Sequence, residues 1–220
     1  MLTAILPMFP LELVAFPQER LALHIFEDRY KQLIEDCEHN DITFGIPTYI
    51  NNQLQYGTEM RLLEVSKRYE SGACDVICEG LRAFQLKNFE ATLFDKLYAG
   101  GQVLFLNEKK ESNPPLKKSF IRLLRAFYAA LKMKTPLIKD EDMTSFSLAH
   151  KIGLSIEQEY ELLQITSENK RYQYLIDHLN IVYPALMTIN RTKEIIKLNG
   201  HFKNFDPLNF EDYKPEFPSE

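Results

Sequence analysis

The chain has 220 residues, a 45% apolar content, 15 phenylalanines and 11 tyrosines, enough to bury one large core or two small ones. Its formal charge of −5 gives no electrostatic reason to expect nucleic acid or an anionic membrane, and no stretch approaches the ~18 apolar residues of a spanning helix. Three cysteines, Cys37, Cys74 and Cys78, cannot all pair within the chain, which suits a reducing, cytoplasmic setting better than a disulfide scaffold.

Met1-Leu2-Thr3-Ala4 carries no basic residue ahead of its apolar ones, so no signal peptide is expected. Prolines 7, 10 and 17 then interrupt a run of large apolar residues. Each fixes φ near −65° and removes a backbone donor, so the segment predicts an edge strand of broken β-structure. A helix follows over Glu27–Glu38, with Tyr30, Leu33, Ile34 and Cys37 at helical spacing. Ile42–Ile50 reads as a strand that turns at Asn51-Asn52. Gly57 precedes a strand over Met60–Val65, and Ser71-Gly72 marks another turn. Ala73–Glu79 continues as β-structure, Gly80 marks a bulge, Phe84–Leu86 alternates, and Tyr98–Leu106 is the last strand. Many short strands with frequent turns predict a closed or nearly closed antiparallel barrel.

Asn107–Pro115 is a polar linker that ends in a capping asparagine and two prolines suited to a helix start. Beyond it the period becomes 3.6: Leu116, Phe120, Leu123, Leu124, Phe127 and Leu131 form one stripe. A short helix is expected over Met143–Ile152, stopped by Gly153, and Ser155-Ile156-Glu157-Gln158 has capping-box form. A long helical pattern starts at Ser167, must kink or restart at Pro184, and ends at Asn199-Gly200. The expected division is residues 1–108 for the β-barrel, 113–200 for a helical bundle and 201–220 for an extended tail. The fold class is α+β.

Candidate chemistry is sparse. Neither G-x-x-x-x-G-K-[ST] nor G-x-S-x-G can be formed from these eight glycines. Cys74 and Cys78 share a strand face without metal-ligand spacing, and read as small buried thiols. His24 reads as a residue satisfied within the barrel. Glu27 suits the helix N-terminus and Arg29 a structural ion pair. Ser66-Lys67 would point to opposite strand faces, and Asp140-Glu141-Asp142 is a solvated acidic run. No catalytic residue, metal ligand or cofactor site is expected.

Leu6-Pro7-Met8-Phe9-Pro10-Leu11, Phe16-Pro17 and Leu23-His24-Ile25-Phe26-Glu27-Asp28-Arg29-Tyr30 together resemble the signature of the N-terminal substrate-recognition domain of Lon-type ATP-dependent proteases. Phe44-Gly45-Ile46 is similar to that family's strand after the first helix. Gly80-Leu81-Arg82-Ala83-Phe84 resembles its Gly-x-x-Arg-Phe turn, one residue out of register. Glu159–Leu163 and Lys170–Leu179 resemble its helices, so the similarity reaches about residue 190. The resemblance implies a PUA-like β-barrel with one inserted helix, followed by a helical bundle. It also implies a free-standing, non-catalytic module that recognises polypeptide substrates or a partner protein, as an adaptor in proteolysis or quality control. Tyr49, Tyr56 and Tyr69, in expected turns, are the candidate peptide contacts. An RNA-binding PUA-like module is the alternative, with Arg61, Lys67, Arg68 and Arg82 as its basic patch.

Overall fold

The structure, a computed structural model, describes residues 2–109, 111, 113–135, 138–140 and 142–202, with side chains through residue 196. The expected tail lies almost wholly outside the described residues. β1 (Thr3–Met8) and β2 (Arg20–Ile25) lead into α1 (Asp28–Asn40), followed by β3 (Phe44–Ile50), β4 (Gln53–Arg68), β5 (Cys74–Glu90) and β6 (Ala99–Phe105). The helical half comprises α2 (Pro114–Ala130), a 3₁₀ turn (Phe146–Lys151), α3 (Ile156–Gln164) and α4 (Glu168–Phe202). The chain is thus α+β, strands first.

The strands lie in the order β2-β5-β4-β3-β1-β6, and β6 also pairs with β5. From β5 the pairing therefore runs through β4, β3, β1 and β6 and returns to its starting strand. The length of β5 makes this possible. Its first part, Cys74–Glu79, holds β2, and its last part, Phe84–Glu90, holds β6. The strand expected to begin after Gly57 runs through it from Gln53, and β5 runs through Gly80 with the expected bulge. Each glycine answers a close approach. A Cβ on Gly57 would stand 2.2 Å from the Ile46 carbonyl oxygen, and one on Gly80 would stand 2.1 Å from that of Phe16. The register also shifts between Glu59 and Met60, opposite Gly80, as a bulge there requires. Asn51 and Asn52 adopt φ of 51° and 58°, the left-handed pair that a two-residue hairpin needs.

Two expectations are corrected. The sheet is not wholly antiparallel, because β1 meets β3 in parallel at Met8 and Gly45. The intervening β2 and α1 supply the long crossover that a parallel pair needs. Nor is β1 at an edge, since it lies between β3 and β6. Phe9 and Leu11 direct their N–H groups to Gly45 and Pro47 of β3, so by alternation the nitrogen of Pro7 lies on that same side. Pairing with β3 begins only at Met8, so Pro7 deprives the sheet of no hydrogen bond.

α1 buries Tyr30, Leu33, Ile34 and Cys37, the four residues its spacing selects, and Glu27 occupies its N-cap. Asn113 caps α2 by accepting from the Leu116 N–H, and Ser155 and Gln158 close the capping box of α3. The helix expected over Met143–Ile152 is shorter, a 3₁₀ turn from Phe146. Its approach is held by side chains instead: Glu168 accepts from the N–H and Oγ of Ser145 at 2.9 and 2.7 Å. α4 continues through the exposed Pro184 and past Asn199-Gly200 to Phe202. The Pro184 carbonyl accepts from Thr188 Oγ1 at 3.0 Å.

The two halves share a core. Val14, Phe16 and Ala83 belong to the apolar cluster built by α2, α3 and α4. Phe16 stacks on Phe146 with ring centroids 4.9 Å apart. Above it, His150 Nδ1 lies 2.7 Å from Glu159 and Nε2 lies 3.2 Å from Glu19, which itself accepts from the Phe16 N–H. Glu159 first, and then Glu19, push the His150 pKa up to about 9 against the opposing effect of burial.

Because this folded-state pKa exceeds the unfolded value near 6.5, its stabilisation is full below about pH 6.5 and fades as pH rises through about 9. Denaturant unfolding of the wild type and His150→Gln should show their stability difference shrinking across that interval. A difference constant with pH would show that no imidazolium bridges the two carboxylates. Independently, Gly80→Ala should lower stability by about 1–3 kcal/mol, since it forces a methyl group against backbone rather than against a movable side chain. An unchanged denaturation midpoint would contradict the close approach of Phe16.

Candidate functional site

The three candidate tyrosines occupy two places. Tyr49 and Tyr56 belong to the β3–β4 hairpin, where Tyr49 pairs with Leu54. The Tyr49 hydroxyl donates to Asn52 at 3.0 Å and braces the turn. Tyr56 meets Tyr160 edge-on at 5.9 Å, and its N–H donates to the Tyr160 hydroxyl at 3.1 Å. That contact joins the hairpin to α3. Tyr69 lies beyond the other end of β4, so the structure does not gather the three into one site.

Around Tyr69 a second group forms that the spacing of residues alone did not disclose. His24 of β2 lies opposite Asp75 of β5, which lies opposite Lys67 of β4. His24 Nδ1 is 2.6 Å from Asp75, and the Tyr69 hydroxyl donates to the same carboxylate at 2.7 Å. These bonds, from His24 first and then Tyr69, hold the Asp75 carboxyl below its usual range. The Lys67 ammonium sits 4.4 Å over the Tyr69 ring, and Phe26 stacks beside His24 at 6.1 Å. His24 is thus an exposed, hydrogen-bonded residue rather than one enclosed by strands. Phe26, inside the opening signature, is 63% exposed. Alternation along β2 carries this information: Leu21, Leu23 and Ile25 face the core cluster, which turns Arg20, Ala22 and His24 outward.

Phe94 and Leu97 add two apolar side chains, 81% and 58% exposed, on the loop between β5 and β6. The loop is braced, since Gln32 accepts from the Leu97 N–H at 2.7 Å and Asp36 accepts from the Tyr98 hydroxyl at 2.6 Å. Phe94 holds φ at 51°, rare for a bulky residue. Where the halves meet, clefts of about 430 and 280 Å³ share Pro17, Gln18, Thr144 and Phe146 in their walls. Both mix cations with carboxylates, and among the described residues no serine or threonine lining them hydrogen-bonds a carboxylate or an imidazole.

The remaining candidates fall into structural roles. Cys37, Cys74 and Cys78 are buried, and burial pushes the thiols of Cys37 and Cys78 up to about 12. Such thiols stay protonated and unreactive. Arg29 pairs with Glu27 and lies over Tyr30, as a local ion pair should. Ser66 donates to the Asp75 carbonyl, and Asp140 pairs with Arg125. Three of the four basic residues are engaged elsewhere: Arg82 pairs with the buried Glu59, Arg68 pairs with Glu38, and Lys67 lies over Tyr69. Among the described residues no group of three or more His, Cys, Asp or Glu side chains could hold a metal ion, and no helix is long and apolar enough to cross a membrane.

Two solved structures share the fold. A Lon N-terminal domain protein from Xanthomonas campestris superposes with a TM-score of 0.58 at 24% identity, covering 79% of this chain and 98% of its own. The N-terminal domain of a Mycobacterium avium complex Lon protease gives 0.61 at 14% identity, over 80% of this chain and 98% of its own. No curated protein sequence matches significantly. The family model of the ATP-dependent protease La (LON) substrate-binding domain matches residues 5–181. With most of its length inside that match, the chain belongs to the Lon substrate-binding domain family.

Proposed function

We propose that this chain is a non-catalytic polypeptide-recognition module. The observation that carries the reading is the family match across residues 5–181, both strand and helical halves included. The distribution of chemistry supports it. Titratable groups are spent on ion pairs and buried thiols, while large apolar side chains such as Phe26, Phe94 and Leu97 remain exposed. Rigid exposed aromatics suit recognition of other chains. In this reading residues 1–108 form a PUA-like barrel closed through β5, residues 113–200 form the helical bundle, and Tyr49, Tyr56 and Tyr69 contribute contacts at the two ends of β4. The module acts as an adaptor that presents polypeptide clients for proteolysis or quality control in the cytoplasm. The RNA-binding alternative gains nothing from the formal charge of −5 or from the carboxylates that neutralise Arg68 and Arg82.

A reduced, carboxymethylated protein held unfolded should bind the purified chain in a fluorescence-anisotropy titration, and its folded parent should not. Tyr69→Ala should weaken that binding about tenfold, ~1.4 kcal/mol, with little loss of stability. Equal affinity for folded and unfolded forms would overturn the reading. Casein incubated with the chain should yield no fragments with or without ATP, as a gel would show.

A further inference from the structure

β2 is the one named strand that takes no part in the closed pairing circuit, and it pairs on one side only, with β5. The Gly80 N–H donates to the Glu19 carbonyl at 2.9 Å, which fixes the alternation of the ladder. Leu21, Leu23 and Ile25 direct their backbone groups at β5, and Arg20, Ala22 and His24 direct theirs away. Among the described residues no backbone hydrogen bond joins β2 to anything but β5. The edge carries neither a proline nor an inward-pointing charge, the usual devices that keep other strands off.

We infer that β2 is a β-augmentation site: an extended polypeptide segment adds as a further strand beside Arg20–Ile25. This deepens the proposed function and rests on it. A row of three free N–H and three free C=O groups is satisfied by another extended backbone, which gives affinity without fixing sequence. Side chains set the preference. The added strand's inner positions lie beside Leu21 and Leu23 and take apolar residues. Its outer positions lie beside Arg20, His24 and Phe26. Arg20 is exposed and has no ion pair among the described residues, so a carboxylate fits there, and an apolar or aromatic residue fits beside Phe26. The favoured segment alternates, with apolar residues on one face and an acidic residue on the other. A second copy of the chain is a poorer occupant. Two-fold pairing about Ala22 opposes Arg20 and His24, and pairing about Leu23 opposes Glu19 and Glu27.

Ala22→Pro tests the inference. Its nitrogen lies on the free edge, so the variant removes a donor that an added strand needs and spares the β2–β5 ladder. The probe is a fluorescein-labelled heptapeptide that alternates valine with threonine and carries one glutamate. With wild type, the peptide should bind and slow amide exchange at Ala22 and His24. Ala22→Pro, or N-methylation of alternate peptide nitrogens, should weaken binding at least about tenfold. Full affinity for the methylated peptide, or protection elsewhere than β2, would overturn the edge site. So would concentration-dependent dimerisation that protects β2 without peptide. If Ala22→Pro still binds the unfolded client at full strength, the edge falls and the recognition reading stands. If wild type binds neither, both fall.

Discussion

The Phe16 carbonyl lies where a side chain on Gly80 would have to stand, and much of the architecture depends on that one close approach. It presses the segment after β1 against the middle of β5, where Thr58 Oγ1 also donates to the Ala15 carbonyl at 2.5 Å. Held there, the Phe16 ring can only turn into the helical cluster, where it meets Phe146. Glu19, three residues on, comes to lie under His150. The same contact starts β2 beside Glu79 in the register that turns Arg20, Ala22 and His24 outward. One backbone contact thus joins the halves and positions the free edge.

β5 is the second constraint. A strand of 17 residues can hold different neighbours along its length, and this one holds β2 first and β6 later, with β4 on the other side. The change of neighbour requires a bulge, and Gly80 and Leu81 supply it. The circuit closes on the later part of β5, which leaves β2 attached to the earlier part and outside. An exposed edge is therefore a topological result of how the sheet closes. The apolar face of β2 is still buried by Leu21, Leu23 and Ile25, so the strand stays docked while its far side is open.

Local physics made most elements readable. The burial of α1, the Asn51-Asn52 hairpin, the Asn113 cap and the Ser155 capping box each depend on a few neighbouring residues, and each has the expected form. The misreadings involve distant partners. Gly57 signals the start of a strand locally, yet β4 runs through it, and its reason is the Ile46 carbonyl of another segment. Pro7 signals an edge, yet it sits beside β3 because pairing there begins one residue later. Pro184 signals a break, yet its position on the exposed side of α4 lets the helix continue. The opening signature identifies the family, but only the β2 register shows that Phe26 and His24 face outward. Tyr49 and Tyr56, expected in turns, lie within β3 and β4, and only Tyr69 lies outside a strand, because pairing extends each strand past the residues that signal its end.

The disposition of charge bears on function. Burying Glu59 without a partner would be strongly unfavourable, and Arg82 and Thr43 satisfy it while the guanidinium lies 3.6 Å over Phe105. Glu168 is pushed up by burial, yet hydrogen bonds from Ser145 and Arg171 outweigh that and hold its carboxyl below the usual range. Both carboxylates are satisfied by partners within the fold. Exposed apolar groups have the opposite distribution: Phe26 and Phe94 occupy braced positions, so little conformational freedom is lost when a partner covers them. Order in exposed apolar side chains, combined with an open backbone edge, supports the proposed recognition role. In the proposed augmentation, the ladder would supply generic affinity and the residues beside it the bias toward particular segments.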